Sequence, residues 1–201
     1  MPNDLWTSIS IDEWQTALQR YERVLARQNS ERLPELDHWY RVELPFLLSR
    51  REPSHITLSE LVEITRWKML RGVWRGRNLA LVKRNSEDDV KQKSQAALES
   101  MPHPTQPIRH LSDLAGVGPA TASAVLAAAQ PMHYPFFDEC VAAQIPEMGE
   151  LAYTVSCYDR YAAALRLRAG QIGSHWNPVM VERCLWANVS DGTALETEVA
   201  L

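Results

Sequence analysis

Residues 108–130 read IRHLSDLAGVGPATASAVLAAAQ, and the fold turns on how the middle of that stretch is taken. Leu111-Ser112-Asp113-Leu114-Ala115 makes a short helix that ends at the paired glycines of Gly116-Val117-Gly118. Without a Cβ, glycine reaches positive φ and leaves its amide uncovered by a side chain. Pro119 then opens a second helix at the position where its missing N–H costs no needed donor. Ala120, Ala122, Ala124, Ala127, Ala128 and Ala129 keep that helix slim, so two helices can approach closely, with Val117 as an inward plug. The uncovered amides and the positive end of the second helix make an anion site. A bare GxG is explained by a helix end followed by a helix start, but the full LxxLxGVGPxTA pattern exceeds what that explanation needs. Gly116, Val117, Gly118 and Thr121 are the residues expected to hold that anion, and a nucleic-acid backbone, with its repeated phosphates, is the expected partner.

Working outward, capping signals divide the chain into helices. Ser10 with Glu13, and Thr57 with Glu60, are capping boxes. The first predicts a helix over 11–28 with Trp14, Leu18, Tyr21 and Leu25 on one face, and the second opens another. Residues 35–49 predict a helix interrupted near Pro45. Ser86 caps a helix over 87–99, after which MPHPTQP, residues 101–107, predicts an extended connection and an internal boundary. Beyond the paired helices of 108–130 come a short helix near 138–145, one over 150–169, and a last one started by Asn177 and Pro178. The expected architecture is all-α, a single unit over 1–190, with a loose tail over 191–201.

Composition narrows the function classes. Of 201 residues 45% are apolar and 23% charged, and no run approaches the roughly 18 apolar residues of a membrane span. The opening MPNDLWTSIS is neither basic nor apolar enough for a secretory signal, which predicts an intracellular protein, nuclear in a eukaryote and cytoplasmic otherwise. Cys140, Cys157 and Cys184 contain no CxxC pair, so reduced thiols are expected rather than disulfides, zinc or an iron–sulfur cluster. His38, His55, His103, His110, His133 and His175 contain no HExxH, and no GxSxG, Walker or dinucleotide motif occurs. Metallohydrolase, esterase and nucleotide-triphosphatase readings therefore fall behind.

The net charge of −4 conceals segregation. Between Glu63 and Glu87 every charge is positive: Arg66, Lys68, Arg71, Arg75, Arg77, Lys83 and Arg84. A helix continuing past Gly72 places Lys68, Arg71 and Arg75 along one stripe facing phosphate, near Trp67 and Trp74. A solvated helix face over core tryptophans accounts for the same residues.

On these motifs, Leu111 to Ala143 resembles the helix-hairpin-helix superfamily of DNA glycosylases, which includes endonuclease III and the alkyladenine and 8-oxoguanine glycosylases. In that family the hairpin is followed by a loop and an aspartate that opens the next helix. Tyr134-Pro135-Phe136-Phe137-Asp138-Glu139-Cys140-Val141 supplies the equivalent, 20 residues after Gly118. The resemblance implies two helical lobes flanking a cleft, the hairpin at its rim, Asp138 in its mouth, and both chain ends in one lobe. It implies double-stranded, damaged DNA as partner, with room for protein partners. It also implies a monovalent sodium or potassium ion on the main-chain oxygens of Ser112, Leu114 and Val117. A carboxylate at Asp138, with Glu139 as the alternate, stabilises an oxocarbenium-like sugar and assists attack by water. An aspartate at that point also serves as a plain helix N-cap.

Three departures limit the chemistry. Members that nick the backbone carry a lysine where this chain has Ala120, so lyase activity is not expected. The cysteine cluster of the iron–sulfur members is missing. After the aspartate the family favours His and Arg, and this chain has Glu139, Cys140, Ala142 and Ala143. Base extrusion needs aromatic surfaces, for which Trp39, Tyr40, Trp67, Trp74 and Trp176 are candidates. The reading leans to a monofunctional DNA N-glycosylase, against a non-catalytic nucleic-acid-binding or protein-interaction member of the same fold.

Overall fold

The computed structural model describes residues 4–28 and 30–196, the last six by backbone alone. Its regular structure, among those residues, is helical throughout. Helix α1 (Ile11–Ala26) starts where the Ser10 hydroxyl accepts from Glu13 N, and it buries Trp14, Ala17, Tyr21, Val24 and Leu25. Helices α2 (Leu33–His38) and α3 (Leu44–Ser49) form one rod, joined by a wide turn over Trp39–Glu43 in which Leu44 N donates to Trp39 O. The widening falls just before Pro45, whose ring crowds the preceding turn and which has no N–H to offer.

Helix α4 (Leu58–Arg71) opens with both halves of the Thr57–Glu60 capping box and stops at Gly72. That corrects the expected continuous stripe. Arg75 lies beyond the end of α4, at the N-cap of a helix that no capping signal announced, α5 (Gly76–Val82). Helix α6 (Glu87–Glu99) starts from the Ser86 cap as expected. Residues 101–105 form turns rather than an extended connection, because His103 Nδ1 accepts from the amides of Thr105 and Gln106 and so starts α7 (Gln106–Ser112) early.

Helix α8 (Pro119–Ala129) follows the glycine turn, and α9 (Glu139–Ala142) follows Asp138. Helix α10 (Val155–Ile172) starts later than expected because the Thr154 hydroxyl caps it, accepting from Cys157 N. Helix α11 (Pro178–Glu196) starts from Asn177, whose side-chain oxygen accepts from Met180 N at 3.0 Å. The backbone stays helical through residues 191–196, correcting the loose tail there, and 197–201 lie outside the described residues.

Helix α8 sits at the centre, buried on every side from Ala120 to Ala128, with α3, α4, α7 and α10 packed around it. Only a helix of small apolar side chains can be enclosed so tightly. Tyr40 donates its hydroxyl to Ala124 O at 2.6 Å and stacks on Trp67, ring centroids 3.7 Å apart. Rings of this kind bury on the order of 200 Å² each, worth about 5 kcal/mol of transfer free energy. The first and last of these helices lie together, α1 along α11, with Tyr21 against Trp186 and the Cys184 thiol donating to Trp14 O. One unbroken hydrophobic core runs from α1 to α11. No helix among the described residues is long and apolar enough to cross a membrane.

Candidate nucleic-acid interface and pocket

The turn between α7 and α8 is built from local hydrogen bonds: Leu114 N donates to Leu111 O and Val117 N to Leu114 O. Gly116 takes φ +76°. A Cβ there would stand 2.7 Å from Asn78 O, 2.8 Å from Val82 N and 2.9 Å from the Leu81 Cβ. Gly116 is therefore required twice, by its backbone conformation and by the approach of α5. Gly118 differs: its φ of −99° and ψ of −178° are open to any residue, and a Cβ there would meet nothing within 4 Å. Its amide and those of Ala120 and Thr121 have no acceptor among the described residues. Val117 is buried, as a plug should be. The Thr121 side chain is buried too, so its main-chain amide is the group it presents at the turn.

The turn is also held from the side. The Asn85 side chain donates to Ala115 O at 3.0 Å and accepts from Ala115 N at 2.8 Å. This bracket fixes α5 beside the turn, so exposed Arg75, Arg77, Lys83 and Arg84 flank it. Two members of the basic run have acidic partners. Arg66 pairs with Glu63. Arg71, expected at the phosphate, is buried at 5% exposure, with Nη2 2.6 Å from Glu182 Oε1 and its guanidinium enclosed by Trp186, Trp67 and Phe136. Arg71 is a core residue and does not reach DNA, which corrects its place among the phosphate contacts.

A pocket of about 40 Å³ opens between these elements. Lys68, Gly72, Val73 and Arg75 form one wall, and Ala120, from the first turn of α8, meets it. Asp138, Glu139 and Cys140 form the opposite side, with Tyr153 at the edge. Burial lowers the affinity of Lys68 for its proton, and Arg75 adds to the effect. Glu139 accepts from the Tyr153 hydroxyl at 2.6 Å.

Asp138 does serve as an N-cap: its Oδ1 accepts from Cys140 N at 2.8 Å and Val141 N at 3.4 Å. The other oxygen, Oδ2, is 3.9 Å from Arg71 Nη2. The cap thus uses one oxygen of the carboxylate and leaves the other beside Arg71. Burial pushes the Asp138 carboxyl up to about 6, against the opposing pull of Arg71 and with a further push from Glu182. Asp138 therefore holds its proton to higher pH than an ordinary carboxyl, a direction that buried structural acids and catalytic acids share.

Of the aromatic candidates, Tyr40 and Trp67 are core, Trp176 packs on Trp14, and Trp39 lines a separate groove beside Glu35 and Glu63. Trp74 is 54% exposed, between the pocket residues Val73 and Arg75. The three cysteines are free, and among the described residues no group of His, Cys, Asp or Glu is arranged to hold a metal. Main-chain oxygens alone, as at Ser112, Leu114 and Val117, suit a hard monovalent cation, and the Ser112 hydroxyl oxygen is buried there without a partner among the described residues. Glu182 is the residue sequence reasoning missed. Its signal was an acid within the apolar stretch of α11, VMVERCLW. No protein-family model, curated protein or solved structure matches the chain.

Proposed function

We propose that this protein grips double-stranded DNA through the Gly116–Gly118 turn and the exposed basic residues in and beside α5, and that it is a monofunctional DNA N-glycosylase acting through Asp138. The observation that carries the reading is the pocket where Asp138, Lys68 and Arg75 meet the first turn of α8. The helix-hairpin-helix arrangement, with a cleft between two helical lobes, is part of the same proposal. It is supported by the φ of Gly116, the acceptor-free amides of Gly118 and Ala120, and the Asp138 cap.

In this mechanism the turn amides and Arg75, Arg77, Lys83 and Arg84 hold phosphates, and Trp74 occupies the stack beside an extruded nucleotide. A cation held by the Ser112, Leu114 and Val117 carbonyls would add positive charge toward the phosphate. As the glycosidic bond breaks, its electron pair leaves on the base and C1′ becomes positive. Asp138 stabilises that charge and takes a proton from water, whose oxygen bonds to C1′; the proton then passes to the departing base. Ala120 offers no amine, so the backbone is not cut. Base release from lesion-containing duplexes, lost in Asp138→Asn with binding retained, is the expected result.

One observation favours a second reading, a non-catalytic DNA-binding protein of the same fold. A pocket of about 40 Å³ holds water rather than a nucleobase. That reading predicts salt-dependent duplex binding with no base released from any lesion, in wild type as in Asp138→Asn.

A further inference from the structure

Behind the pocket, three ionisable side chains meet almost without water: Asp138, Arg71 and Glu182, the last fully buried. Arg71 is not shared evenly between the two acids. Its Nη2 is 2.6 Å from Glu182 Oε1, a full charge-assisted hydrogen bond, and 3.9 Å from Asp138 Oδ2, beyond hydrogen-bond reach. The planar guanidinium lies over the Trp186 ring at 4.5 Å and the Trp67 ring at 5.0 Å, and its one short ion pair is the one to Glu182. Its Nε and Nη1 are buried with no hydrogen-bond partner, while Glu182 Oε2, also without a hydrogen bond, has Arg41 Nη2 at 3.9 Å as a second cation.

Asp37 shows what full pairing does in the same core. It accepts from Tyr21, Trp67 and Arg41, at 2.8, 2.7 and 3.1 Å. Although burial acts to raise its pKa, Arg41 and Arg71 hold the Asp37 carboxyl below the ordinary carboxylate value.

Other groups also face Asp138. Lys68 on α4 and Arg75 before α5 are the cations beside it across the pocket. Glu139 and Cys140 adjoin it in α9, while Tyr153 and Tyr161 approach from the α10 side. None of these is closer to Arg71 than Glu182 is among the ion pairs present.

Resting on the reading of Asp138 as the acid of this site, we propose that Glu182 is its positioning residue: by holding Arg71, Glu182 keeps the Asp138 carboxylate incompletely paired and able to take a proton from water in the pocket. Released from Glu182, Arg71 would pair with Asp138 and turn it into an inert structural ion. The burial that lifts the Asp138 carboxyl acts in the same direction.

The test is a carbon-13 NMR titration of the Asp138 carboxyl in the full chain, without DNA. Glu182→Gln keeps the shape of the side chain and frees Arg71, and should lower the Asp138 midpoint by about one pH unit or more. Removing the pair together, in Arg71→Met with Glu182→Gln, should raise the midpoint above that of wild type. An unmoved midpoint in Glu182→Gln overturns the proposal. If that variant does not fold, a double variant whose midpoint is not raised overturns it. The titration needs no substrate, so absence of base release would sink the glycosylase reading alone. An unmoved midpoint alongside Asp138-dependent base release would sink only the role of Glu182.

Discussion

Asn85 holds Ala115 by both of its backbone groups, donating to the carbonyl and accepting from the amide. With the close approach of Gly116 to α5, this side chain, three residues past the end of that helix, ties the glycine turn to the basic segment 75–84. Asn85→Ala removes both bonds at a partly exposed site and should cost about 1–2 kcal/mol in urea unfolding. It should also weaken duplex binding measured well below the melting temperature. Unchanged affinity in the folded variant would mean that the turn and α5 do not bind as one surface.

The two glycines of the turn should separate folding from binding. Gly116→Ala forces a side chain at positive φ into the α5 backbone and should destabilise by about 2 kcal/mol or more. Gly118→Ala adds a Cβ that meets no protein atom within 4 Å and should change thermal stability by less than about 1 kcal/mol. If DNA approaches the open face of Gly118, that second variant should still lose about tenfold in affinity by fluorescence anisotropy.

Salt dependence distinguishes the exposed cations from the buried one. Changing Arg75 or Arg77 to Gln removes one phosphate-neutralising charge, and each change should flatten the slope of log K against log salt by about 0.9. Arg71→Gln should leave the slope alone and cost about 3–5 kcal/mol of stability, because Glu182 is left buried without its partner.

Asp138 also predicts how stability varies with pH. Between its ordinary value of 3.8 and its folded value of about 6, the native chain keeps a proton the unfolded chain has lost. Stability from this group therefore falls as pH rises through that window, by about 3 kcal/mol in total. Asn keeps the N-cap acceptor and removes the charge. Asp138→Asn should be more stable than wild type at pH 8, and the advantage should vanish below pH 4, in unfolding curves taken at both values. A variant less stable than wild type at pH 8 would show that Asp138 is well compensated in the native state.

Features written locally were legible in the sequence. The caps at Ser10, Thr57, Ser86 and Asn177 each start the helix they announced, since a cap and its helix lie within one turn. The glycine turn and the Asp138 cap were legible for the same reason. What failed depends on distant partners. Arg71 read as a surface cation because Glu182, its partner, is 111 residues away. Helix α5 was missed because it starts with Gly76 and is held in place by contact with Gly116 and Asn85 rather than by its own propensity. Trp74 separates from the other tryptophans only once their packing is known.

The measurement that bears most directly on the proposed activity is a panel of duplexes, each with one lesion or mismatch, scored for binding and for alkali-sensitive sites with wild type and Asp138→Asn. The expected result is base release from at least one duplex by wild type, no strand cleavage without alkali, and loss of release but not of binding in Asp138→Asn. Base release that persists in Asp138→Asn, or no salt-dependent binding to any duplex, would contradict it.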